Sequence, residues 1–283
     1  MVCAVLRRKL TMTIQYRAIQ TAAEIEQAVA IHAAIWSVGE RDSIPAHLIR
    51  AVQHAGGLVL GAFDGELLVG FSLGFMGKRG EQILHWSHIT GVTPAYQGRG
   101  IGSGLKWLQR RLVLEQGLDC MAWTFDPLQR GNAKFNMRRL GCVCNLYCVN
   151  LYGELEDSLN AGLPTDRFEV RWWLASERVR QREALGPPTA DITGIHRTLL
   201  RTADGVPGDV CWPIGQKRTL VEIPDDINGL RASRPDQALQ WRLRTREVFT
   251  RLFEEGFWVT DFVSQREGNQ VRHGYVLELD DAR

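Results

Sequence analysis

Apolar and polar residues alternate with period two in IQYRAIQ, and the pattern then turns helical, with apolar residues at 25, 28, 29, 35 and 36. The first predicts a strand and the second a helix. Thr21 and Glu24 stand at the junction in the T-x-x-E spacing of a capping box, where each side chain accepts the other residue's backbone N–H. A second helix is predicted over PAHLIRAVQHAG, closed by Gly56. GLVLGAFDGELLVGFSLGFM reads as a hairpin turning at Asp64-Gly65, and EQILHWSHITGV as a further strand. Ile101, Leu105, Leu108 and Leu112 mark one face of a helix that ends at Gly117. DCMAWTFDP predicts a strand and NAKFNMRRLG a short helix opened by Asn132 and closed by Gly141. CVCNLYCVNLYG and FEVRWWLA add two strands, separated by the loop DSLNAGLPTDR. The predicted order is β-α-α-β-β-β-α-β-α-β-β, a mixed α/β class.

Beyond it, SERVRQREALGPPTADITG becomes charged and then rich in proline, which puts a domain boundary near Pro187 and Pro188. Residues 12–183 form the expected first domain. Residues 190–283 form a smaller α+β domain, with a long helix from Pro235 to Glu255 and the hairpin FWVTDFVSQREGNQVRHGYVLEL. Residues 1–11 are expected to be a disordered tail.

Composition narrows the function classes. The chain has 283 residues, 45% hydrophobic and 23% charged, with a net charge of +2. This is ordinary globular material without the basic footprint of a nucleic-acid binder. MVCAVLRRKL puts its arginines after a short apolar run, the reverse of a secretory signal, and no apolar stretch approaches the roughly 20 residues of a membrane span. The expectation is a soluble cytoplasmic protein with neither nucleic acid nor membrane as partner. Cys142, Cys144 and Cys148 share one face of a predicted strand. Apolar alternation accounts for them without a metal, because neither a CxxC pair nor a ligand-spaced histidine accompanies them.

The stretch VTPAYQGRGIGSGLKWLQR places glycines at 98, 100, 102 and 104, where a strand runs into a helix. Glycines there let successive N–H groups converge, and the helix start adds partial positive charge. The ligand that suits them is a phosphate or pyrophosphate. The dinucleotide fingerprint G-x-G-x-x-G fails, because its third glycine would fall on Ser103 or Leu105, and no Gly-Lys-Ser/Thr of a P-loop follows.

Gln97-Gly98-Arg99-Gly100-Ile101-Gly102, after a strand ending at Val92 and before a long helix, resembles the Q/R-x-x-G-x-G/A signature of the GNAT superfamily of N-acetyltransferases. The element order resembles that fold too, a central mixed, mostly antiparallel sheet flanked by helices, over residues 12 to about 175. The resemblance implies acetyl-CoA or another acyl-CoA as co-substrate, no metal, and direct transfer to the amine of a small acceptor in a ternary complex. It implies that the loop from Gln97 to Gly102 holds the pyrophosphate, while the pantetheine arm bonds strand backbone as an added strand would. WTFDPLQRGNAKFNMRRLG, LYGELEDSLNAGLPTDRFEVRWW, LVEIPDD and WRLRTREVF resemble a narrower subgroup with members associated with acylating amino acids, N-succinyl transfer included. This implies an acetyl or succinyl donor and an amino-acid acceptor.

Acyl transfer from a thioester needs a neutral amine, stabilisation of the carbonyl oxygen and, optionally, a proton for the thiolate. Relatives often draw the base from four or six residues ahead of the Val92 position, here His88 and Trp86. His88 is therefore the candidate, since imidazole titrates in the useful range, and a structural histidine is the alternative. Alternation sends His85 to the opposite face. The resemblance further implies the Val92 N–H as donor to the oxygen and Asn132 as a contact to the arm, a plain N-cap being the other reading of Asn132. The tyrosine that many relatives use as general acid is Met137 here. Tyr147 or Tyr152 is the substitute, unless the thiolate, with a pKa of about 8.5, leaves unaided.

Arg242 and Arg246 lie at i,i+4 with no acidic residue at i±3 or i±4. Like charges so placed repel, so an anion is expected beside them, either an acceptor carboxylate or an acidic residue elsewhere in the fold. Arg167, in PTDRF, is a second carboxylate-binding candidate. Two other functions share the phosphate loop: a non-catalytic acyl-CoA-binding or sensor module, and an N-acetyltransferase of proteins. A homodimer is the assembly this reading allows.

Overall fold

The computed structural model describes residues 13–36, 43–153, 162–268 and 270–279. The tail expected over residues 1–11 and the first half of the loop expected over 157–167 lie outside the described residues. The predicted order is found as β1 (Gln15–Ala18), α1 (Ala22–Trp36), α2 (Ala46–His54), β2 (Leu58–Asp64), β3 (Leu67–Arg79), β4 (Gln82–Val92), α3 (Ile101–Glu115), β5 (Cys120–Phe125), α4 (Arg130–Ala133), β6 (Val143–Cys148) and β7 (Arg167–Trp173). After them come α5 (Glu177–Leu185), β8 (His196–Leu199), β9 (Arg218–Glu222), α6 (Ile227–Ser233), α7 (Pro235–Glu254), β10 (Trp258–Glu267) and β11 (Gln270–Glu278). The capping box forms, with the Glu24 N–H donating to Thr21 Oγ1 at 3.2 Å and the Thr21 N–H to Glu24 Oε2 at 3.1 Å.

Three local expectations shift. Asp64 pairs with Leu67, so the hairpin loop is Gly65-Glu66, one residue later than read, with Gly65 at φ 63. Asn132 does not cap its helix. Asp126 folds the chain into an Asx turn, its Oδ1 accepting the Leu128 N–H at 2.8 Å, and the helix starts at Arg130 with Gln129 as its cap. That helix continues as a π-helix over Lys134–Leu140 and closes at Gly141, which is left-handed as expected. The buried stripe of α3 is Ile101, Leu105, Gln109 and Val113, with Lys106 beside it, rather than the stripe through Leu108 and Leu112.

Among the described residues the strands form one eleven-stranded sheet in the order β1-β2-β3-β4-β5-β7-β6-β10-β11-β9-β8. Its pairings are antiparallel except β4 with β5 and β8 with β9. Ile25, Ile31 and Ile49 of α1 and α2 pack against Val59, Phe71 and Leu73 on one face. Ile101 and Leu105 of α3 pack against Leu60, Ala62 and Val69 on the other. The C-terminal strands extend the same sheet through β10, whose Val259 pairs with Cys144 of β6. On α7, Trp241, Val248 and Phe249 enter one core with Phe168, Val170 and Trp172. Phe168 meets Phe249 edge to face at 4.8 Å, the favourable geometry for two ring quadrupoles. Pro187 and Pro188 lie between α5 and β8.

One irregularity positions the site. β4 and β5 pair only at His85 with Met121 and Trp86 with Ala122, and part beyond. At the same level Leu73 pairs with Ile89 but Gly74 with Ser87, so His88 is an extra, bulged residue on β4.

Candidate active site

The glycine loop sits at the mouth of this gap, and its four glycines serve different ends. Gly98 and Gly100 have φ 75 and 81, the left-handed region that favours glycine. A Cβ on Gly104 would fall 2.3 Å from the Tyr16 ring, so that glycine serves packing. A Cβ on Gly102 would meet only Phe135 at 3.8 Å and Val92 at 3.9 Å, ordinary contacts. Gly100 caps α3, and the first helical bond runs from the Gly104 N–H to the Gly100 carbonyl at 3.0 Å. The N–H groups of Ile101, Gly102 and Ser103, in the first turn of α3, precede that bond and have no helical carbonyl to donate to. Gln97, Gly98, Arg99 and Gly100 are exposed, so these donors and the positive end of α3 face solvent at the gap. Arg99 leans over the Tyr96 ring at 5.1 Å, and Gln97 Nε2 donates to the Val92 carbonyl at 3.0 Å, fastening the loop to the end of β4.

Within the gap, β4 offers backbone. The Thr93 N–H donates to the Val69 carbonyl of β3 at 3.0 Å. Antiparallel alternation then turns the N–H groups of Val92 and Thr90 the other way, toward the gap. Val92 lies four residues past His88 and Thr90 two, so both spare N–H groups stand between the candidate base and the loop. Thr90, about 7 Å from His88, is the nearer donor. No side-chain pattern marks Thr90, because only the pairing register reveals which N–H is left over.

The bulge sets the direction of the β4 side chains. Ser87 and His85 face α3, and Trp86 faces the other side, where the Arg79 guanidinium lies 5.4 Å from its ring. His88 falls on the Trp86 side, exposed, with its ring 6.0 Å from Phe75. Surrounding protein lowers its pKa below the ordinary imidazole range by desolvation. His32 of α1 is close enough for the His88 charge to add to desolvation in lowering its own pKa. His85, as expected, lies on the opposite face. It is buried against Gln109 Nε2 at 3.2 Å, and desolvation together with the Lys106 charge lowers its pKa to about 4.

Of the substitute acids, Tyr147 is withdrawn from the gap. Its hydroxyl donates to Asp166 at 2.8 Å, its ring stacks on Phe249, and burial pushes its pKa up. Met137 is wholly buried. Tyr152 shares a 2.8 Å hydrogen bond with the hydroxyl of Thr124, which lies on β5 two residues past the last pairing with β4. Thr124 follows Ala122 by two, so Tyr152 borders the gap on the His88 side of the sheet. Arg167 stands behind it, 5.4 Å from its ring. Asn132 is exposed on α4.

The two arginines of α7 have carboxylates of this chain as partners. Arg242 is 1% exposed and bonds Asp126 at 2.7 Å, and Arg246 holds both oxygens of Asp166 at 2.9 Å. The acidic partners that the helix lacks locally come from β5's end and from the residue before β7. This removes the ground for reading the pair as an acceptor-carboxylate clamp. Arg242→Ala is expected to lower stability by about 3–5 kcal/mol, since it strands the Asp126 carboxylate in the interior. Thermal unfolding measures that loss, and an unchanged KM for the amine in folded Arg246→Lys would accompany it.

No metal-holding group of His, Cys, Asp and Glu is found among the described residues, and no described helix is long and apolar enough to cross a membrane. No family model matches the chain, and no curated protein matches it either. Solved structures similar to it include an acetyltransferase of the GNAT family from Streptococcus pneumoniae, 13% identical over 56% of this chain and 98% of that one, with TM-score 0.46. The ribosomal-protein-S18-alanine N-acetyltransferase of Escherichia coli is 12% identical over 58% of this chain and 97% of its own, with TM-score 0.45. Arabidopsis thaliana NAA60, solved with acetyl-CoA, is 16% identical over 57% and 99%, with TM-score 0.46. Acetyltransferases of the GNAT type are what this chain is similar to, in a little over half of its length.

Proposed function

We propose that the protein is an acyl-CoA-dependent N-acyltransferase acting on the amine of a small acceptor, an amino acid being the preferred class. The observation that carries this reading is the parting of β4 and β5 beneath an exposed, glycine-built helix start. The loop amides from Gly98 to Gly102 take the pyrophosphate, and the N–H of Val92 bonds the arm as it enters the gap. The Thr90 N–H donates to the thioester oxygen as it gains charge. His88 takes a proton from the attacking amine on the α1 side of the sheet, the new C–N bond forms and the C–S bond breaks. Tyr152, across the gap, is the remaining side-chain acid for the departing sulfur. Arg167, whose guanidinium lies 5.4 Å from the Tyr152 ring, is the carboxylate-binding candidate that this reading keeps. The acyl group is acetyl or succinyl in this reading, and the enzyme is cytoplasmic.

Incubation with acetyl-CoA and succinyl-CoA against a panel of amines, following free thiol, tests it. Thiol release that depends on the amine is the expected result. Binding of CoA without turnover would make the chain a non-catalytic acyl-CoA-binding module, and turnover only with peptides would make it a protein N-acetyltransferase.

A further inference from the structure

Lys106 is a buried lysine with no carboxylate partner among the described residues. It is 3% exposed on α3, and its Nζ donates to Ser87 Oγ at 2.7 Å while lying 3.7 Å from the centre of the Trp123 ring. Ser87 directly follows the last β4 residue paired with β5, and Trp123 directly follows the last β5 residue paired with β4. The ammonium therefore bridges the two strands where they part, at the inner end of the gap. Every hydrogen bond around it points away. Ser87 donates to Gln109 Oε1 at 2.9 Å, and Gln109 Nε2 in turn meets His85 Nε2 at 3.2 Å. The titratable groups that face it are His85 of β4 and the Cys142 thiol, both neutral at pH 7, and no described carboxylate pairs with it. Desolvation lowers its pKa to about 7, and the Ser87 hydroxyl and the Trp123 ring support the charged form without a counter-ion among the described residues.

We propose that Lys106 selects the acyl group, its ammonium receiving the terminal carboxylate of a dicarboxylic acyl-CoA. This rests on the acyl-CoA reading above. An arm that enters from the loop passes Val92 and puts its carbonyl beside Thr90 and His88, so whatever lies beyond the carbonyl points to the inner end of the gap. A short methylene spacer ending in a carboxylate brings an anion to Ser87 and Lys106, where it gains charge-assisted bonds in a site shielded from water. An acetyl group leaves the ammonium without a counter-ion. The covalent step is unchanged by this choice.

The test compares succinyl-CoA with butyryl-CoA, of equal chain length and without the carboxylate, at saturating amine. The wild-type protein is expected to favour succinyl-CoA in kcat/KM by about 10²-fold or more. Lys106→Met, which keeps the volume and removes a buried charge, is expected to fold with an unlowered Tm, to bind CoA itself as before and to lose that preference. Calorimetry in buffers of different ionisation heat is expected to show proton uptake when succinyl-CoA binds the wild type near pH 7, and none by the variant beyond that seen with butyryl-CoA. A wild type that favours butyryl-CoA, or a folded variant that keeps the succinyl preference, overturns the assignment of Lys106 while acyl transfer stands. Failure of the wild type to bind any acyl-CoA overturns the acyl-CoA reading itself.

Discussion

Gly102→Glu abolishes CoA binding while the protein keeps its fold: the expected loss exceeds about 10²-fold in Kd, with Tm near the wild-type value. Position 102 is in the first turn of α3, where a carboxylate suits the helix end by about 0.3–1 kcal/mol. Its Cβ meets only ordinary contacts. The new carboxylate therefore leaves the core alone, occupies the donors to which the proposed function assigns the pyrophosphate and repels a second anion. Gly100→Glu adds a backbone cost of about 1–2 kcal/mol, because its φ of 81 disfavours any side chain. Gly104→Ala separates binding from folding in the opposite sense. Its methyl group collides with the Tyr16 ring, so stability drops by about 1–3 kcal/mol with CoA affinity retained in the folded fraction. Calorimetric affinity unchanged in a folded Gly102→Glu protein would sink the loop assignment.

His88→Ala is expected to lower kcat/KM by about 10²- to 10⁴-fold near neutral pH, with KM for the acyl-CoA little changed. The pH profile carries the more specific expectation. Desolvation lowers the His88 pKa, so the neutral, proton-accepting form persists below the ordinary imidazole value, and the acidic limb of the wild-type profile falls below about pH 6.5. Removing the imidazole removes that limb. Activity of the variant then rises with pH as free amine accumulates, so the gap between the two proteins narrows under alkaline conditions. A loss under tenfold, or one of equal size at every pH, would assign amine deprotonation to water.

The elements around the site were legible because their signals are local. The period-two strands, the Thr21–Glu24 box and the closure at Gly141 each involve neighbours within a few residues, and all form as read. The glycine loop was legible for the same reason, since the left-handed φ at Gly98 and Gly100 is a property of the residue itself. The stripe of α3 holds at Ile101 and Leu105 and then departs, with Leu108 and Leu112 only partly buried beside it. Counting apolar residues favoured Leu108 and Leu112, whereas the buried face carries Gln109 and Lys106, whose polar ends are satisfied by Ser87 and His85 of another element. A polar residue on a buried face is invisible to a hydrophobicity count until its partner is known.

Local sequence thus accounts for the order of the strands and helices, the glycine-rich turn into α3, and the choice of His88 on the strand before it as the candidate base. Which groups meet is set by the folded chain. Asp126 and Asp166 reach Arg242 and Arg246 across 116 and 80 residues, and turn an apparent substrate clamp into internal ion pairs. The register of β4 against β3 and β5 decided that the Thr90 N–H is spare and that Lys106 lies at the end of the gap. Periodicity and capping act over one or two turns of chain, whereas pairing register and ion pairing are settled by groups far apart in sequence.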